Sequence, residues 1–184
     1  MIDDSSSVDG SRSVGGRARA YAWRVDPLYE LALSLKAAHR GLDRAANEAM
    51  EPLGVTAAQA DALTVIRLAG PLSLKELGEL LIAEAGHPSR MVDRLVEAGL
   101  VERRPAEGDR RRVVLTLTSR GRRLEKRAAA ARGEVLELGR HLVGDRDVAP
   151  TLEFLRELLA PTDYGDLLAR RRALAEREEE AERG

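Results

Sequence analysis

GLVERRPAEGDRRRVVLTLTSRG, residues 99–121, decides the fold of this 184-residue chain. Upstream of it the apolar residues recur every three or four positions, as they do in helices, whereas within it the spacing changes to that of strands. Two β-rich runs, LVERR and RRVVLTLT, are separated by the short polar connector PAEGD. The stretch therefore predicts a β-hairpin with an exposed tip.

Two helices joined by a short turn are predicted immediately before the hairpin. LSLKELGELLIAEA, residues 72–85, predicts the first, with Ser73 as its N-terminal cap and Glu76 as the capping-box partner. Gly86 interrupts the pattern, and Pro88 suits the first turn of the second helix because proline lacks the N–H that would be unpaired there. That helix buries Met91, Val92, Leu95 and Val96 and turns Ser89, Arg90, Asp93, Arg94 and Glu97 outward.

A helix, a turn, a second helix and a basic hairpin in this order form a winged helix-turn-helix. In such a fold the second helix enters the major groove of DNA, while the hairpin lies along the phosphates or reaches the adjacent minor groove. Residues 87–127 contain twelve Arg or Lys and six Asp or Glu, although the whole chain has a net charge of -1. This local excess is expected of a phosphate-binding surface, whereas each arginine taken alone could be a solvated surface charge.

Further helices are predicted on both sides of this region. Their expected N-terminal residues are Pro27, Thr56 with Gln59 as its capping-box partner, Ser119, and Asp147 as a cap. The helix from Pro27 ends before Pro52, and the one capped by Asp147 continues through Leu159. After Pro161 the charged segment predicts a frayed terminal helix.

The composition excludes several classes of protein. With 43% hydrophobic and 33% charged residues, the chain is typical of a globular protein with one compact core. The absence of Cys excludes a disulfide framework and thiol-based redox sensing. No apolar run approaches the roughly 20 residues of a membrane helix, and the acidic, polar N-terminus lacks the basic-then-apolar order of a signal peptide. We therefore expect a cytoplasmic protein without a membrane partner.

Catalytic and cofactor-binding signatures are missing from the sequence. It contains no Gly-rich phosphate loop, nucleophile elbow or HExxH motif. The acidic run EREEEAE near the C-terminus indicates a solvated face and not a buried acid–base pair. His39 and His141 fall in different helices about a hundred residues apart, which disfavours a metal sensor. We expect no enzyme activity, cofactor or metal.

Three short motifs follow one another through the hairpin. GLVxR begins at Gly99, an Asp-x-Arg wing follows, and LTxxG closes the series; the last two are matched by Asp109, Arg111, Leu117, Thr118 and Gly121. With the helices that precede it, this order resembles the MarR family of transcriptional regulators from Leu72 to Gly121. An extended match of this kind is more specific than a helix-turn-helix pattern alone.

The resemblance implies a mostly α fold with a small β-hairpin wing, that is, a winged helix-turn-helix plus N- and C-terminal dimerisation helices. The implied segments are a flexible N-terminal tail (1–26), an N-terminal dimerisation helix (27–54), the winged helix-turn-helix DNA-binding region (55–121), and C-terminal dimerisation helices with a charged tail (122–184). It also implies a homodimer that binds a pseudo-palindromic operator in double-stranded DNA. Such regulators often repress and are released by a small ligand between the dimer helices and the DNA-binding lobe.

Carried onto this sequence, the resemblance places the DNA-reading positions at the second helix and on the wing. They are His87, Ser89, Arg90 and Arg94 at the helix, and Arg110, Arg111 and Arg112 in the wing. Arg can clamp a phosphate or bridge guanine O6 and N7, and Ser can donate to a phosphate. Asp109 is expected to pair with Arg111 and hold that wing arginine in a fixed pose.

Some of these residues have a second interpretation. Arg94 lies beside Asp93 and Glu97 and could form an intrahelical ion pair instead of contacting DNA. His87 could cap the helix, touch a phosphate or be solvated. The aromatic residues that flank the helix from Pro27 could pack, or could line a site for a small apolar or aromatic effector: Tyr21, Trp23 and Tyr29.

Two alternative functions stay open. EAGHP, residues 84–88, stands where the family pattern has small polar residues within a helix, so the first helix of the helix-turn-helix is expected to be longer and the second shorter by about a turn. This break favours a winged-helix protein-interaction module that has lost specific DNA reading. The other alternative is a DNA-binding protein without an effector.

Overall fold

The computed structural model describes residues 26–82 and 88–184, which form two compact units that divide between Arg44 and Ala45. In chain order the elements are α1 (Pro27–Met50), a short 3-10 helix (Glu51–Leu53), α2 (Ala57–Ala69), α3 (Leu74–Gly78), α4 (Pro88–Glu97), β1 (Val101–Ala106), β2 (Asp109–Leu117), α5 (Ser119–Val143), α6 (Ala149–Leu159) and α7 (Asp163–Arg183). The mostly α fold with a β-hairpin wing is therefore as predicted.

α1 is an exposed helix that carries a stripe of apolar side chains. Oδ1 of Asp26 accepts a hydrogen bond from the N–H of Leu28 at 2.8 Å, which satisfies one of the unpaired N–H groups of the first turn. The helix ends at Met50, before Pro52 as predicted, and Gly54 closes the following 3-10 turn in the left-handed region with φ of +71°. Leu28 is 69% exposed.

α2 is the centre of the core. Its predicted capping box is confirmed: Thr56 Oγ1 accepts from the N–H of Gln59 at 3.2 Å, and Gln59 Oε1 accepts from the N–H of Thr56 at 2.9 Å. Five consecutive residues of the helix, 62–66, are buried, so its middle is covered on all sides. The largest fully buried side chains of the core come from α2, α3, α4 and both strands: Leu63, Leu77, Leu95, Leu115, Val65, Val92 and Val101.

α3 is shorter than predicted. Its capping box forms, because Ser73 Oγ accepts from the N–H of Glu76 and Glu76 Oε2 accepts from the N–H of Ser73 at 2.6 Å. The helix nevertheless ends at Gly78, whereas the apolar spacing predicts a helix through residue 85. Glycine disfavours helix by about 1 kcal/mol relative to Ala, and the turn that follows places both Leu80 and Leu81 in the core. The expected lengthening of this helix is wrong; residues 83–87, with Gly86 and His87, lie outside the described residues.

α4 begins at Pro88, as the sequence predicts, and ends in a left-handed turn. Gly99 has φ of +65°, and its N–H donates to Val96 O at 2.8 Å while the N–H of Leu100 donates to Leu95 O at 2.9 Å. These two hydrogen bonds, with Gly99 in the left-handed conformation, form the turn by which a glycine commonly ends a helix. β1 therefore starts only two residues after Gly99 and carries the chain directly from the helix into the wing.

The wing is a two-stranded antiparallel hairpin. The register joins Val101 to Leu117 and continues to the tip, with an irregularity between Pro105 and Ala106. The turn comprises only Glu107 and Gly108, so both strands extend into the predicted five-residue connector. An isolated β-bridge between Leu72 and Leu115 joins β2 to the residues before α3. The N–H of Leu72 donates to Leu115 O with an N···O distance of 3.4 Å, and the N–H of Leu115 donates to Leu72 O at 2.8 Å.

Gly121, the glycine of the LTxxG motif, lies close to the main chain of Leu100. A Cβ at this position would lie 2.9 Å from the carbonyl carbon of Leu100 and closer still to its oxygen, so a larger side chain cannot fit without a shift of the main chain. Thr118 stands at the N-cap of α5, where its Oγ1 accepts from the N–H of Gly121 at 3.0 Å and donates to Gly99 O at 2.7 Å. Thr118 and Gly121 thus lock the start of α5 against the end of α4.

A buried polar group joins α5 to α2. Glu125 is 3% exposed, and its Oε1 accepts from Thr64 Oγ1 at 3.1 Å. Its Oε2 lies 3.0 Å from Nε of Arg67. Because a buried carboxylate is costly unless it is paired and hydrogen-bonded, these contacts are what permit Glu125 to lie in the interface.

The C-terminal helices differ in two details from the prediction. Asp147 acts at the start of α6, where its Oδ1 accepts from the N–H of Ala149 at 2.9 Å, although Val148 occupies the N-cap position itself. α7 is not frayed, since it continues from Asp163 to Arg183. Arg171 attaches this helix to α2, because its two Nη atoms donate to the two carboxylate oxygens of Asp61, both at 2.6 Å.

Within residues 26–82 and 88–184, no helix combines the length and the apolar character needed to cross a membrane.

Candidate nucleic-acid interface

The outward face of α4 carries unpaired cations. Val92 and Leu95 are buried on the inner face, while Arg90 and Arg94 are exposed one turn apart on the outer face. Neither guanidinium forms a hydrogen bond or an ion pair within the described part of the chain. Ser89 is half-buried in the first turn. Two cationic side chains one turn apart on a helix can bind neighbouring acceptor groups of a ligand.

Asp93 does not pair with Arg94. Its Oδ1 accepts from Nη2 of Arg103, on β1, at 2.7 Å. The intrahelical ion pair that could have occupied Arg94 is therefore replaced by a contact between helix and wing. Arg104, the next residue of β1, pairs instead with Glu102 at 2.6 Å, as expected of neighbouring side chains that leave a strand on opposite faces.

The tip of the wing is held by Asp109. Its Oδ1 accepts from the main-chain N–H of Arg111 at 2.9 Å, and not from the guanidinium as the sequence predicts. The reason is local: a short acidic side chain readily bonds the backbone two residues ahead, and Gly108, with φ of +81°, permits the tight turn before it. The Arg111 side chain is exposed and has no partner within residues 26–82 and 88–184. Arg110 lies in β2, but its side chain is outside the described structure.

Arg112 is tied to the helix-turn-helix. Its Nη2 donates to Glu76 Oε1 on α3 at 2.6 Å, so wing and first helix share an ion pair that sequence reasoning missed. The main-chain N–H of Ser73, then the Ser73 side chain and then Arg112 lower the pKa of Glu76 from 4.5 to about 2. Glu76 is therefore an anion at neutral pH, and it holds one of the predicted wing arginines.

The structure therefore divides the predicted site residues into two groups. Arg90, Arg94 and Arg111 have cationic ends that are free to meet a ligand, while Arg112 is engaged internally. His87 lies outside the described residues. The contacts missed from the sequence join positions 10 and 36 residues apart, so no helical or strand period could reveal them.

The described residues contain no group of three or more His, Cys, Asp or Glu side chains placed to hold a metal ion. His141 Nδ1 lies 2.8 Å from the main-chain oxygen of Glu137 within α5. Of the aromatic residues flanking α1, Tyr29 lies in the helix, while Tyr21 and Trp23 are outside the described residues.

Comparison with known proteins gives this arrangement a family. The sequence model of the MarR family matches residues 55–113, which contain α2, α3, α4, β1 and part of β2. The multiple antibiotic resistance protein MarR of Escherichia coli is 40% identical over 121 residues, which are 65% of this chain and 83% of that protein. The chain belongs to the MarR family.

Solved MarR structures have the same fold. A variant of Escherichia coli MarR complexed with operator DNA matches with a TM-score of 0.63 and 32% identity, covering 72% of this chain and 96% of that one. The organic hydroperoxide resistance transcriptional regulator of Bacillus subtilis is 29% identical over 111 residues, 60% of this chain and 76% of that protein. The predicted family and fold class are confirmed, and the named relative from Bacillus subtilis is a transcriptional regulator.

Proposed function

We propose that the chain is a homodimeric, sequence-specific DNA-binding transcriptional regulator, and that it represses until a small ligand releases it. The observation that carries the proposal is the free cationic face of α4, where Arg90 and Arg94 are exposed and unpaired beside the wing that presents Arg111. The operator complex of a MarR variant supports it, because that relative matches 72% of this chain.

The two cationic surfaces have different tasks in this proposal. A helix reaches base edges in the major groove, so Arg90 and Arg94, helped by Ser89, govern the choice of sequence through contacts such as Arg to guanine O6 and N7. A hairpin tip meets the backbone first, so Arg110 and Arg111 mainly supply affinity through phosphates. Arg112 contributes to this affinity only when its guanidinium leaves Glu76 and binds a phosphate instead.

A dimer is proposed from the exposed apolar side chains of the flanking helices. In one unit, Leu28 and Leu33 on α1 are 69% and 49% exposed. In the other, the exposed apolar residues of α5, α6 and the link between them are Leu136, Leu138, Leu142, Val148, Leu152, Phe154 and Leu158. Exposed apolar side chains in such number are typical of a subunit interface. We propose residues 27–54 and 122–184 as the dimerisation segments and 55–121 as the DNA-binding region.

A two-fold dimer sets the geometry of the operator. Two reading helices related by the axis enter successive major grooves about one turn, roughly 34 Å, apart, so the site is pseudo-palindromic. Release by a ligand requires that the ligand prefer a dimer arrangement whose reading helices no longer match that spacing. An apolar or aromatic effector between the dimer helices and the DNA-binding lobe is the proposed ligand.

Binding to the DNA upstream of the protein's own gene, compared with random duplex over a series of salt concentrations, tests the proposal. We expect a specific, salt-sensitive complex, with Arg90→Ala and Arg94→Ala reducing the preference for the specific duplex. Arg111→Ala should weaken both duplexes and lower the salt slope by about one. Arg172→Ala, which removes an exposed, unpaired positive charge from α7, is the matched control. No complex at any low salt concentration would favour the protein-interaction module instead.

A further inference from the structure

α7 has one face that is covered by the rest of the chain. The residues of this face alternate between apolar and charged at intervals of four, three and four positions, which places them on the same side of a helix: Leu167, Arg171, Leu174 and Glu178. Leu167 is buried, and Leu174 is half-buried against the main hydrophobic core. The four residues span about 16 Å, roughly three turns, of an α-helix. α7 is therefore held along its length and not at a single point.

Two adjacent arginines join α7 to α2 and to the segment that follows α3. Arg171 donates from both Nη atoms to the carboxylate of Asp61 on α2, and its Nη1 also lies 3.4 Å from the main-chain oxygen of Leu80. Arg170 Nη1 donates to Glu79 Oε2 at 3.2 Å. The side chains of Asp61 and Arg171 are only 29% and 21% exposed, and a bidentate pair of this kind is stronger than a single contact between exposed ions. Arg171 is therefore a strong anchor of α7.

A second anchor lies near the C-terminal end of α7. Both Nη atoms of Arg67, in the last turn of α2, donate to the carboxylate of Glu178, and the contact from Nη2 to Oε2 is 3.1 Å long. Nε of the same guanidinium lies 3.0 Å from Oε2 of Glu125 on α5. One arginine thus joins α2, α5 and α7.

The N-terminal end of α7 is packed against α6. Gly165 is the third residue of α7, and a Cβ there would lie 2.6 Å from the main-chain oxygen of Leu159 and 3.0 Å from Cα of Ala160. Such distances admit no side chain, so the main chain of α7 touches the end of α6. Thr162 closes the connection, because its Oγ1 and its N–H donate to Leu159 O at 2.7 and 2.9 Å, and its carbonyl accepts from the N–H of Gly165 at 2.9 Å. The reversal between the two helices is therefore compact.

The contacts of α7 also lead to the reading helix. Glu79 and Leu80, the residues bound by the two adjacent arginines, follow directly after Gly78, the last residue of α3. A Cβ on Gly78 would lie 3.5 Å from Cγ of Pro88, so the end of α3 lies against the first residue of α4. A continuous series of contacts therefore runs from α6 through α7 to the start of α4.

We propose that α7 is a strut, a helix that fixes the position of the reading helix relative to α6, and that it thereby selects the spacing of the two half-sites that the dimer accepts. This inference rests on the proposed function, in which α6 contributes exposed apolar residues to the dimer interface. In a two-fold dimer, the separation of the reading helices follows from how each DNA-binding region is attached to the dimerisation helices. A region attached through the chain alone moves relative to its neighbours by default and fits several spacings weakly. The anchors of α7 remove that freedom and favour one spacing.

The first experiment measures the strut in the full chain without DNA. Because the sequence has no Cys, Glu153→Cys on α6 and Glu97→Cys on α4, both at exposed positions, introduce a unique pair of spin labels. Labelled chain diluted into an excess of unlabelled chain reports the distance within one subunit by pulsed electron paramagnetic resonance. We expect a narrow distance distribution in the otherwise wild-type chain, and one about twofold wider when the strut is released.

Two variants release opposite ends of the strut. Arg170→Ala/Arg171→Ala removes the anchors to α2 and to the segment after α3. Gly165→Ala forces the main chain of α7 away from α6 and leaves every contact with the DNA-binding region in place. Both should widen the distance distribution, because a strut fails when either end is loose. A distribution as narrow as that of the wild type in both variants would overturn the proposal.

Each release variant has a matched control. Arg172→Ala/Arg177→Ala removes two exposed charges of α7 that have no partner in the described part of the chain. Gly139→Ala adds a methyl group on α5 at a position where a Cβ meets nothing within 4 Å. Both controls should keep the narrow distribution. The measurements are made well below the lowest Tm of the set, so that folded chains are compared.

The second experiment adds DNA in three forms: the duplex that the wild type binds upstream of its own gene, one half-site of it, and the same duplex with two base pairs inserted between the half-sites. The insertion turns one half-site by about 70° relative to the other. In both release variants, affinity for the half-site should stay within about twofold, since the surface of α4 is unchanged, while affinity for the full duplex should fall about fivefold or more. The loss caused by the insertion should be smaller in these variants than in the wild type.

The ratio of full-duplex to half-site affinity decides the role of α7 in spacing. An unchanged ratio, even with an equal loss on both duplexes, would show that α7 only stabilises the DNA-binding region and would contradict the proposal. If the wild type binds no duplex, the proposed function fails, whereas the spin-label distances still decide whether α7 holds α4 relative to α6.

Discussion

Arg103 on β1 donates to Asp93 on α4 across 2.7 Å, so the wing and the reading helix are joined by an ion pair. The pair neutralises the acid on α4 that lies next to Arg94 in sequence. It also joins the hairpin to the helix through two residues that are 10 positions apart in the chain. The contact therefore influences both the charge and the geometry of the candidate DNA-binding surface.

A double-mutant cycle on Asp93→Ala and Arg103→Ala tests this pair. Both side chains are more than 40% exposed, so we expect a coupling of only about 0.2–1 kcal/mol in the free energy of unfolding measured with denaturant. Glu97→Ala, an exposed acid of the same helix, paired with Arg103→Ala should show no coupling. Coupling of equal size in the control cycle would mean that the effect is general electrostatics and not this contact.

Gly121→Ala should destabilise the protein because the added methyl group overlaps the carbonyl of Leu100. Overpacking of this kind costs about 1–3 kcal/mol, and it should appear as a lower Tm and a lower free energy of unfolding. Gly133→Ala is the matched control on the same helix, since a Cβ there meets nothing within 4 Å. We expect Gly133→Ala to raise stability by about 0.5–1 kcal/mol through helix propensity. Similar Tm values for the two variants would contradict the close approach at Gly121.

Glu76 should make stability dependent on acid pH. Its pKa is about 2 in the folded chain and 4.5 ordinarily, so its contribution is complete above pH 4.5 and is lost as pH falls toward 2. Glu76→Gln keeps a capping-box side chain but removes the charge that meets Arg112. The difference in the free energy of unfolding between wild type and Glu76→Gln should therefore shrink as pH is lowered from 5 to 2. A difference that is constant over this range would contradict the depressed pKa.

Local chemistry made much of the fold predictable. Thr56 with Gln59, and Ser73 with Glu76, are neighbours in sequence, so their capping boxes can be recognised from residue type and spacing alone. Pro88 at a helix start is equally local. The length of α3 was not predictable in this way. Leu80 and Leu81 continue the apolar spacing of a helix, but they lie in a turn that places both side chains in the core.

The internal partners of charged residues are set by tertiary packing. Arg112 and Glu76 are separated by 36 residues, and Arg171 and Asp61 by 110. A sequence shows that such residues are charged, but the fold decides which of them neutralise each other. The same limit applies to the candidate site: Arg90, Arg94 and Arg112 have equal charge in the sequence, yet only Arg112 is engaged by a carboxylate.

Arg171→Ala should loosen α7. The change removes two hydrogen bonds of 2.6 Å to Asp61 and leaves a partly buried carboxylate on α2, which costs about 1–3 kcal/mol. The pairing also raises the pKa of Arg171 above its already high ordinary value, through hydrogen bonding to Asp61 first. We expect a lower Tm and faster proteolysis within residues 163–183. Arg172→Ala, at an exposed neighbouring position without a partner, should leave both unchanged, and equal loss in the two variants would contradict a specific role for the Asp61 contact.

Leu142→Asp should weaken the proposed dimer. Leu142 is 75% exposed near the end of α5, and a charged group there would be buried without a partner if this face meets a second subunit. By light scattering after gel filtration, the wild type should have twice the 20.1 kDa mass of one chain, and the variant should dissociate at concentrations where the wild type does not. Ala130→Asp, at an exposed position on the same helix, is the control for introducing an acid into α5.

The same variant separates dimerisation from DNA reading. Because the surface of α4 is unchanged in Leu142→Asp, the isolated subunit should still bind one half-site weakly through Arg90 and Arg94. The full operator should lose much more affinity than the half-site, since tethering of the second reading helix is lost. A monomeric variant that binds the full operator as tightly as the wild type would show that the two-fold arrangement is not needed for recognition.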